Sequence, residues 1–114
     1  PVAAWESLHA ALTAMLADPT LAAREFDAGP PGTLTVERAI DMLVTGDVLV
    51  HTWDLARATG LDERIDERLA AEMLSAMEPM DEMLRSSGHF GRRVDVPADA
   101  DVVTRLIAFT GRTP

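Results

Sequence analysis

The 114-residue sequence contains no cysteine, no long apolar run and no excess of basic residues. Without cysteine the chain forms neither disulfides nor thiolate metal sites and has no cysteine nucleophile, which leaves histidine and carboxylates as candidate metal ligands. No apolar stretch approaches the roughly 20 residues of a membrane-spanning helix, and the start does not resemble a signal peptide. These absences predict a soluble, cytoplasmic protein with no membrane partner.

The net charge is −9, and the ten basic residues are dispersed along the chain. Binding to nucleic-acid phosphates needs a basic surface, so this charge argues against a nucleic-acid partner. The length suits one small domain over residues 1–114, and a hydrophobic content of 47% is enough for a core. Small molecules or proteins are therefore the expected partners.

The apolar spacing predicts a mainly helical, all-α chain. A first helix is expected over Val2–Ala17, because apolar residues recur there at helical spacing and Pro19 disfavours helix at the preceding residue. A long central helix is expected to begin after Thr35, which suits an N-cap, and to run to Thr59 before Gly60 terminates it.

The second half of the chain predicts shorter helices. Asp66 is expected to cap a helix from Glu67, and Pro79 to kink that helix or begin another. Asp99 is expected to cap the last helix, which ends at Gly111. The inward-facing residues of these helices are expected to be Leu69, Met73, Leu74, Met77, Met80, Met83, Leu84, Val102, Val103, Leu106, Ile107 and Phe109.

Two segments favour extended structure. Within residues 24–35, Gly29-Pro30-Pro31-Gly32 has too many turn residues for a helix, and the flanks of this turn can pair as a short hairpin. Residues 93–96 are expected to form a brief strand.

One turn of the central helix places a carboxylate and an imidazole on the same side. Asp47 and His51 are four residues apart, so their side chains point the same way. Counting 100° per residue puts them, with Asp54, on an apolar stripe formed by Val36, Ile40, Leu43, Val50 and Ala58. Burying an ionisable group is costly unless it is paired or bound to a metal. The three polar residues therefore either satisfy one another or hold a ligand.

A second apolar stripe, formed by Met42, Leu49 and Trp53, lies on the far side of the same helix. A helix covered on two faces belongs at the centre of a bundle. Gly46 either permits close approach of a neighbouring element or is merely tolerated.

Four segments carry a resemblance to a known family: Leu49–Gly60, Phe90-Gly91, Val94–Pro97 and Leu106–Arg112. They resemble the metal-binding domain of mycothiol-dependent maleylpyruvate isomerases and its single-domain relatives, which belong to the DinB-like four-helix bundles. The resemblance spans nearly the whole chain. It implies that Asp47 and His51 are two metal ligands, although Glu is commoner at the first position.

The same resemblance implies a third ligand, a histidine on an earlier helix. The predicted first helix corresponds to a later segment of the family, so His9 is a poor substitute and the third ligand is expected upstream of Pro1. The bundle is then incomplete in this sequence. The lipid-transfer-like second domain of the isomerases is absent from it as well.

Zinc accepts imidazole and carboxylate ligands, and a catalytic zinc keeps one coordination position open for water or substrate. The resemblance implies a divalent metal, zinc or alternatively nickel, and a low-molecular-weight thiol as cosubstrate. An open metal lowers the pKa of a bound thiol or water. Asp54 either orients a ring N–H of His51 or pairs with Arg57 or Arg105.

Two classes of function remain open. The first is a metal-dependent, thiol-using transferase or isomerase of a small molecule, with Arg57, Arg92 or Arg93 as anchors for a substrate carboxylate. The second is a non-catalytic bundle that binds a partner, or forms a homodimer, through the stripe of Met42, Leu49 and Trp53. The spacing of Asp47 and His51 also fits an ordinary intrahelical pair, and His89 is expected to face solvent from its loop.

Overall fold

A computed structural model of the protein describes residues 1–29, 31–88 and 90–114. The chain is mainly helical, as predicted, with one two-stranded antiparallel sheet among the described residues. It divides into two compact units, residues 1–45 and residues 46–114. No helix within the described ranges combines the length and the apolarity that crossing a bilayer requires.

The first unit contains α1 (Val2–Ala17), α2 (Pro19–Ala22), β1 (Glu25–Asp27), β2 (Thr33–Thr35), α3 (Val36–Ala39) and a π-helical segment (Ile40–Thr45). Helix α1 has the predicted bounds. It ends at Asp18, whose backbone is extended and whose carboxylate accepts the backbone N–H of Thr20 at 2.8 Å, so that the same residue caps α2. None of the residues of α1 is buried, and Trp5 and Leu8 are exposed.

The predicted hairpin is present in the first unit. Strands β1 and β2 pair antiparallel with Phe26 opposite Leu34. The turn between them is closed by the backbone N–H of Ala28, which donates to the carbonyl oxygen of Gly32 at 2.9 Å. Pro30 of the predicted turn lies outside the described residues.

The segment predicted as one central helix begins and ends where expected. The hydroxyl of Thr35 accepts the backbone N–H of Arg38 at 3.1 Å, and Gly60 terminates the segment with a φ of +68°. Its interior is different, because the π-helical segment separates α3 from α4 (Gly46–Thr59). The prediction of an uninterrupted α-helix is therefore wrong.

The second unit contains α4, α5 (Glu67–Met77), a 3₁₀ turn (Glu78–Met80), α6 (Asp81–Ser86) and α7 (Val102–Phe109). Asp66 caps α5 as predicted, accepting the backbone N–H of Leu69 at 2.9 Å. Pro79 lies in the 3₁₀ turn, after which α6 begins. Helices α5 and α7 pack against each other around the core residues Ala70, Leu74, Met77, Leu106 and Phe109.

The buried face of α4 corresponds to one of the two predicted apolar stripes, since Trp53 is buried and Leu49 packs against the core. Gly46, Val50, Trp53 and Ala56 are buried, whereas the side chains of Asp47 and His51 are 72% and 60% exposed. The prediction that these two residues lie on a buried face is therefore wrong, and Leu43 and Ala58 of the same stripe are exposed as well. A Cβ atom on Gly46 would lie 3.1 Å from Cε of Met73, so the expected close approach at this glycine is confirmed.

Three smaller predictions for the second unit are wrong. Residues 93–96 form no strand, because their backbone has no strand to pair with and Val94 bonds instead to the carbonyl oxygen of Ala108 in α7, at 3.0 Å. Asp101 caps α7 in place of Asp99, accepting the backbone N–H of Thr104 at 2.9 Å. Leu69 is exposed on α5 although it was expected to face inward.

Candidate functional site

The candidate site is a chain of polar contacts along one side of α4. Nε2 of His51 lies 3.3 Å from Oδ1 of Asp47, one helical turn earlier, and Nδ1 of His51 lies 2.9 Å from Oδ2 of Asp54. The regular turn of the helix produces both contacts, because residues three and four apart share a side. The spacing in the sequence therefore predicted this cluster correctly, although the cluster lies at the surface.

Asp54 is held from its other side by Arg112, which is 58 residues further along the chain. Nε of Arg112 donates to Oδ1 of Asp54 at 2.6 Å, and Nη2 donates to Oδ2 at 2.7 Å. This two-bond pairing matches a planar guanidinium to a carboxylate. The backbone of Arg112 is fixed at the end of α7, where its N–H donates to the carbonyl oxygen of Ile107 at 3.2 Å.

Arg112 sets the protonation state of Asp54. The hydrogen bond from Arg112 is the largest cause of a lowered pKa of Asp54, and the hydrogen bond from His51 lowers that pKa further against a partial desolvation. Asp54 is therefore an ionised acceptor at neutral pH. Its oxygen 2.9 Å from Nδ1 of His51 requires a hydrogen on that nitrogen.

The hydrogen on Nδ1 determines the state of the other ring nitrogen of His51, Nε2. When the ring is neutral and Nδ1 carries the hydrogen, Nε2 presents a lone pair. Nε2 lies 3.3 Å from a carboxylate oxygen of Asp47. Two acceptors at this distance repel unless a proton or a cation lies between them. A proton on Nε2, or a cation bound to both atoms, would stabilise this approach.

The separation of the two acceptors fits a metal ion. Bonds of about 2.0–2.2 Å from zinc to nitrogen and oxygen, at a tetrahedral angle, put the two ligand atoms about 3.3–3.5 Å apart. The observed 3.3 Å lies in that range. In residues 1–29, 31–88 and 90–114 no group of three or more histidines and carboxylates is placed to hold a metal. These ranges thus contain two candidate ligands that lie close together, and His89 lies outside them.

The other predicted site residues are dispersed. Arg57 pairs with Glu63 at 2.9 Å and stacks on Trp53. Arg105 pairs with Glu78 at 3.7 Å and not with Asp54. Arg93 stacks on Phe109, and no described residue forms an ion pair with Arg92. His9 stacks on Trp5 within α1.

The alternatives for Asp54 are resolved by this geometry. Its oxygen orients the ring of His51 and it also pairs with an arginine, but that arginine is Arg112 and not Arg57 or Arg105. Arg112 contributes to the site although its sequence position does not predict that role. No spacing rule connects two residues that only tertiary packing brings together.

The pairing of Asp54 predicts a pH-dependent stability. The stabilisation is fully present above the ordinary pKa of 3.8 and is lost as the pH falls through the lower pKa of the folded state. Asp54→Asn is therefore expected to flatten the decline of the free energy of unfolding below about pH 4. Urea unfolding of both proteins between neutral and acid pH measures this difference. Equal slopes in the two proteins would contradict the pairing.

Comparison with known proteins adds little on function. No family model matches the chain, and no solved structure matches it. Two curated proteins from strains of Mycobacterium tuberculosis, both named as uncharacterized, are 40% identical to it over 73 residues. The match covers 62% of this chain and 40% of each relative, so the chain spans less than half the length of these relatives.

Proposed function

We propose that Asp47 and His51 bind a divalent metal ion, zinc or alternatively nickel, in a thiol-using transferase or isomerase that acts on a small molecule. The observation that carries this proposal is the pair of exposed atoms, Nε2 of His51 and Oδ1 of Asp47, which lie 3.3 Å apart. Asp54 supports it, because a carboxylate on the second ring nitrogen is the usual partner of a metal-binding histidine.

In this proposal the metal activates the thiol, and the residues of the chain orient and charge the metal ligands. A bound metal with open positions would lower the pKa of a coordinated thiol and so supply a nucleophile at neutral pH. Asp54 holds Nδ1 of His51 in its protonated form and keeps Nε2 directed outward, and Arg112 keeps Asp54 ionised. Asp47 adds a negative charge that offsets the charge of the cation. The resemblance to the DinB-like family, the thiol and the cytoplasmic location stay predictions.

The alternative is a non-catalytic bundle that forms a homodimer through Met42, Leu49 and Trp53. This alternative has less support, because Trp53 is only 8% exposed and cannot offer its ring to a second copy without rearrangement. The exposed pair of Asp47 and His51, in contrast, is accessible to a cation without any movement of the chain.

Zinc binding by the 114-residue chain tests the proposal. Isothermal titration calorimetry is expected to detect one zinc ion per chain, and His51→Ala is expected to weaken binding at least about tenfold. Asp54→Asn is expected to weaken it about tenfold as well, through loss of ring orientation. His9→Ala is the matched control, because His9 is an exposed helical histidine whose ring stacks on Trp5.

Two results would overturn the proposal. The first is a chain that binds no zinc at millimolar concentration. The second is equal loss of binding in His9→Ala and His51→Ala, because that pattern is typical of non-specific coordination by exposed histidines.

A further inference from the structure

A small cleft in the second unit is lined by charged and apolar residues. It has a volume of about 170 Å³. Arg93, Arg105 and Glu78 line one part of it, and Leu74, Val96 and Pro97 contribute apolar surface. All of these residues are separate from Asp47, His51 and Asp54, so the cleft is independent of the proposed metal site.

The guanidinium of Arg93 is the most informative group in the cleft. Arg85 and Arg93 both stack on the ring of Phe109, at 4.8 and 4.6 Å from its centroid. Arg85 is neutralised by Asp81, at 2.8 Å. Within the part of the chain that the structure describes, no carboxylate pairs with Arg93. Stacking thus fixes the plane of Arg93 while its N–H groups stay available.

The second arginine of the cleft is weakly neutralised. Nη2 of Arg105 and Oε1 of Glu78 are 3.7 Å apart, which is longer than a hydrogen bond. The residues that line the cleft therefore include two arginines and one carboxylate, an excess of one positive charge in a chain whose net charge is −9. A local positive excess in an acidic protein favours an anionic ligand.

We infer that this cleft binds a small monocarboxylate with a short apolar tail. The carboxylate accepts N–H groups of Arg93 and Arg105, and the tail contacts Leu74, Val96 and Pro97. The volume of about 170 Å³ limits the ligand to a small molecule. Glu78 repels a second carboxylate, so dicarboxylates with the same carbon chain bind more weakly.

Butyrate, which has six non-hydrogen atoms, is the probe. Titration of the isotopically labelled chain, followed by two-dimensional NMR, is expected to shift the backbone amides of Val94 and Val96. Butylammonium, with the same tail and the opposite charge, and succinate, with a second carboxylate, are expected to cause smaller shifts at equal concentration. The measurement reports binding alone and does not depend on metal or activity.

Three variants give the proposal a directional test. Arg93→Gln is expected to weaken butyrate binding about tenfold, because it removes a charge-assisted hydrogen bond. Glu78→Gln is expected to strengthen binding about two- to fivefold, because it removes the competitor for Arg105. Arg64→Gln is the control. Arg64 is exposed and already paired with Asp62, so its loss is expected to leave binding unchanged.

The inference is overturned if butylammonium binds as well as butyrate, if Arg93→Gln binds like the unmodified chain, or if Glu78→Gln weakens binding. If Arg93→Gln fails to fold, butyrate binding by Glu78→Gln tests the inference by itself. Glu78 is exposed, so its replacement exposes no core surface.

Discussion

Replacement of Gly111 by alanine is expected to lower the free energy of unfolding by about 3 kcal/mol. Gly111 has a φ of +89°, a conformation in which a Cβ costs about 1–2 kcal/mol. The added Cβ would also lie 2.8 Å from the backbone carbon of Gly91, closer than carbon atoms approach. Backbone atoms cannot relieve a clash by changing rotamer as a side chain can. The loop before residue 92 or the end of α7 must therefore move. Urea unfolding followed by circular dichroism measures the loss.

Two glycines provide matched controls for this prediction. Gly60 also has a positive φ, +68°, but a Cβ there meets no atom within 4 Å, so Gly60→Ala is expected to cost only about 1–2 kcal/mol. Gly91 lies across the same contact, where its Cβ would meet Gly111 at an ordinary 3.6 Å, so Gly91→Ala is expected to be nearly neutral. Equal losses at Gly60 and Gly111 would show that the contact with Gly91 adds nothing.

Replacement of Arg85 by methionine is expected to cost about 3 kcal/mol of stability. Arg85 donates to the carbonyl oxygens of Gly91 and Phe109, forms an ion pair with Asp81 in its own helix at 2.8 Å, and stacks on Phe109. Its side chain is 23% exposed, so water does not fully replace these contacts. The two carbonyl groups lose their donors, and an unsatisfied, partly buried acceptor costs about 1–3 kcal/mol.

The comparison that isolates this effect is Arg68→Met. Arg68 forms an ion pair of the same spacing with Glu72, at 2.9 Å, but its side chain is 74% exposed. Pairs of this kind contribute only about 0.3–0.5 kcal/mol, so the loss is expected to be small. Arg85→Lys is expected to fall between the two, since it keeps the charge near Asp81 but cannot reach both carbonyl groups. If Arg85→Met lowers the free energy of unfolding as little as Arg68→Met, the hydrogen bonds of Arg85 to Gly91 and Phe109 do not stabilise the fold.

The parts of the fold that the sequence predicted well depend on local chemistry. Helix α1 ends before Pro19 because of a steric rule that acts on the preceding residue. The caps at Thr35 and Asp66 each use a side chain that reaches a backbone N–H three residues ahead. Asp99 and Asp101 are equivalent by this rule. A turn closed by the backbone N–H of Ala100 and the carbonyl oxygen of Pro97 encloses Asp99, which leaves Asp101 as the cap.

The predicted face of the central helix failed for a different reason. That face was drawn by counting 100° per residue from Val36 to Ala58, but residues 40–45 are π-helical. A π-helix advances by a smaller angle per residue, so a stripe counted through it loses its phase by roughly one residue position. No residue in Ile40–Thr45 signals the change, because the same apolar and acidic residues are common in α-helices.

The candidate site also combines features set by local spacing with features set by tertiary packing. Asp47, His51 and Asp54 belong to one regular helix, so their proximity followed from spacing alone. Their exposure and the contribution of Arg112 depend on how α7 packs, which is a property of the whole second unit. The cleft around Arg93 likewise takes residues from α5, α7 and the segment between α6 and α7, a combination without a signature in the sequence.

The carboxylate of Asp54 has one further consequence. Oδ2 accepts from both Arg112 and His51, so a single acceptor atom connects α4 to the segment that follows α7. The ring of His51 is therefore held in place by packing at a position 58 residues beyond Asp54 in the chain. A substitution that moves Arg112 is expected to change the orientation of the imidazole without touching α4 itself.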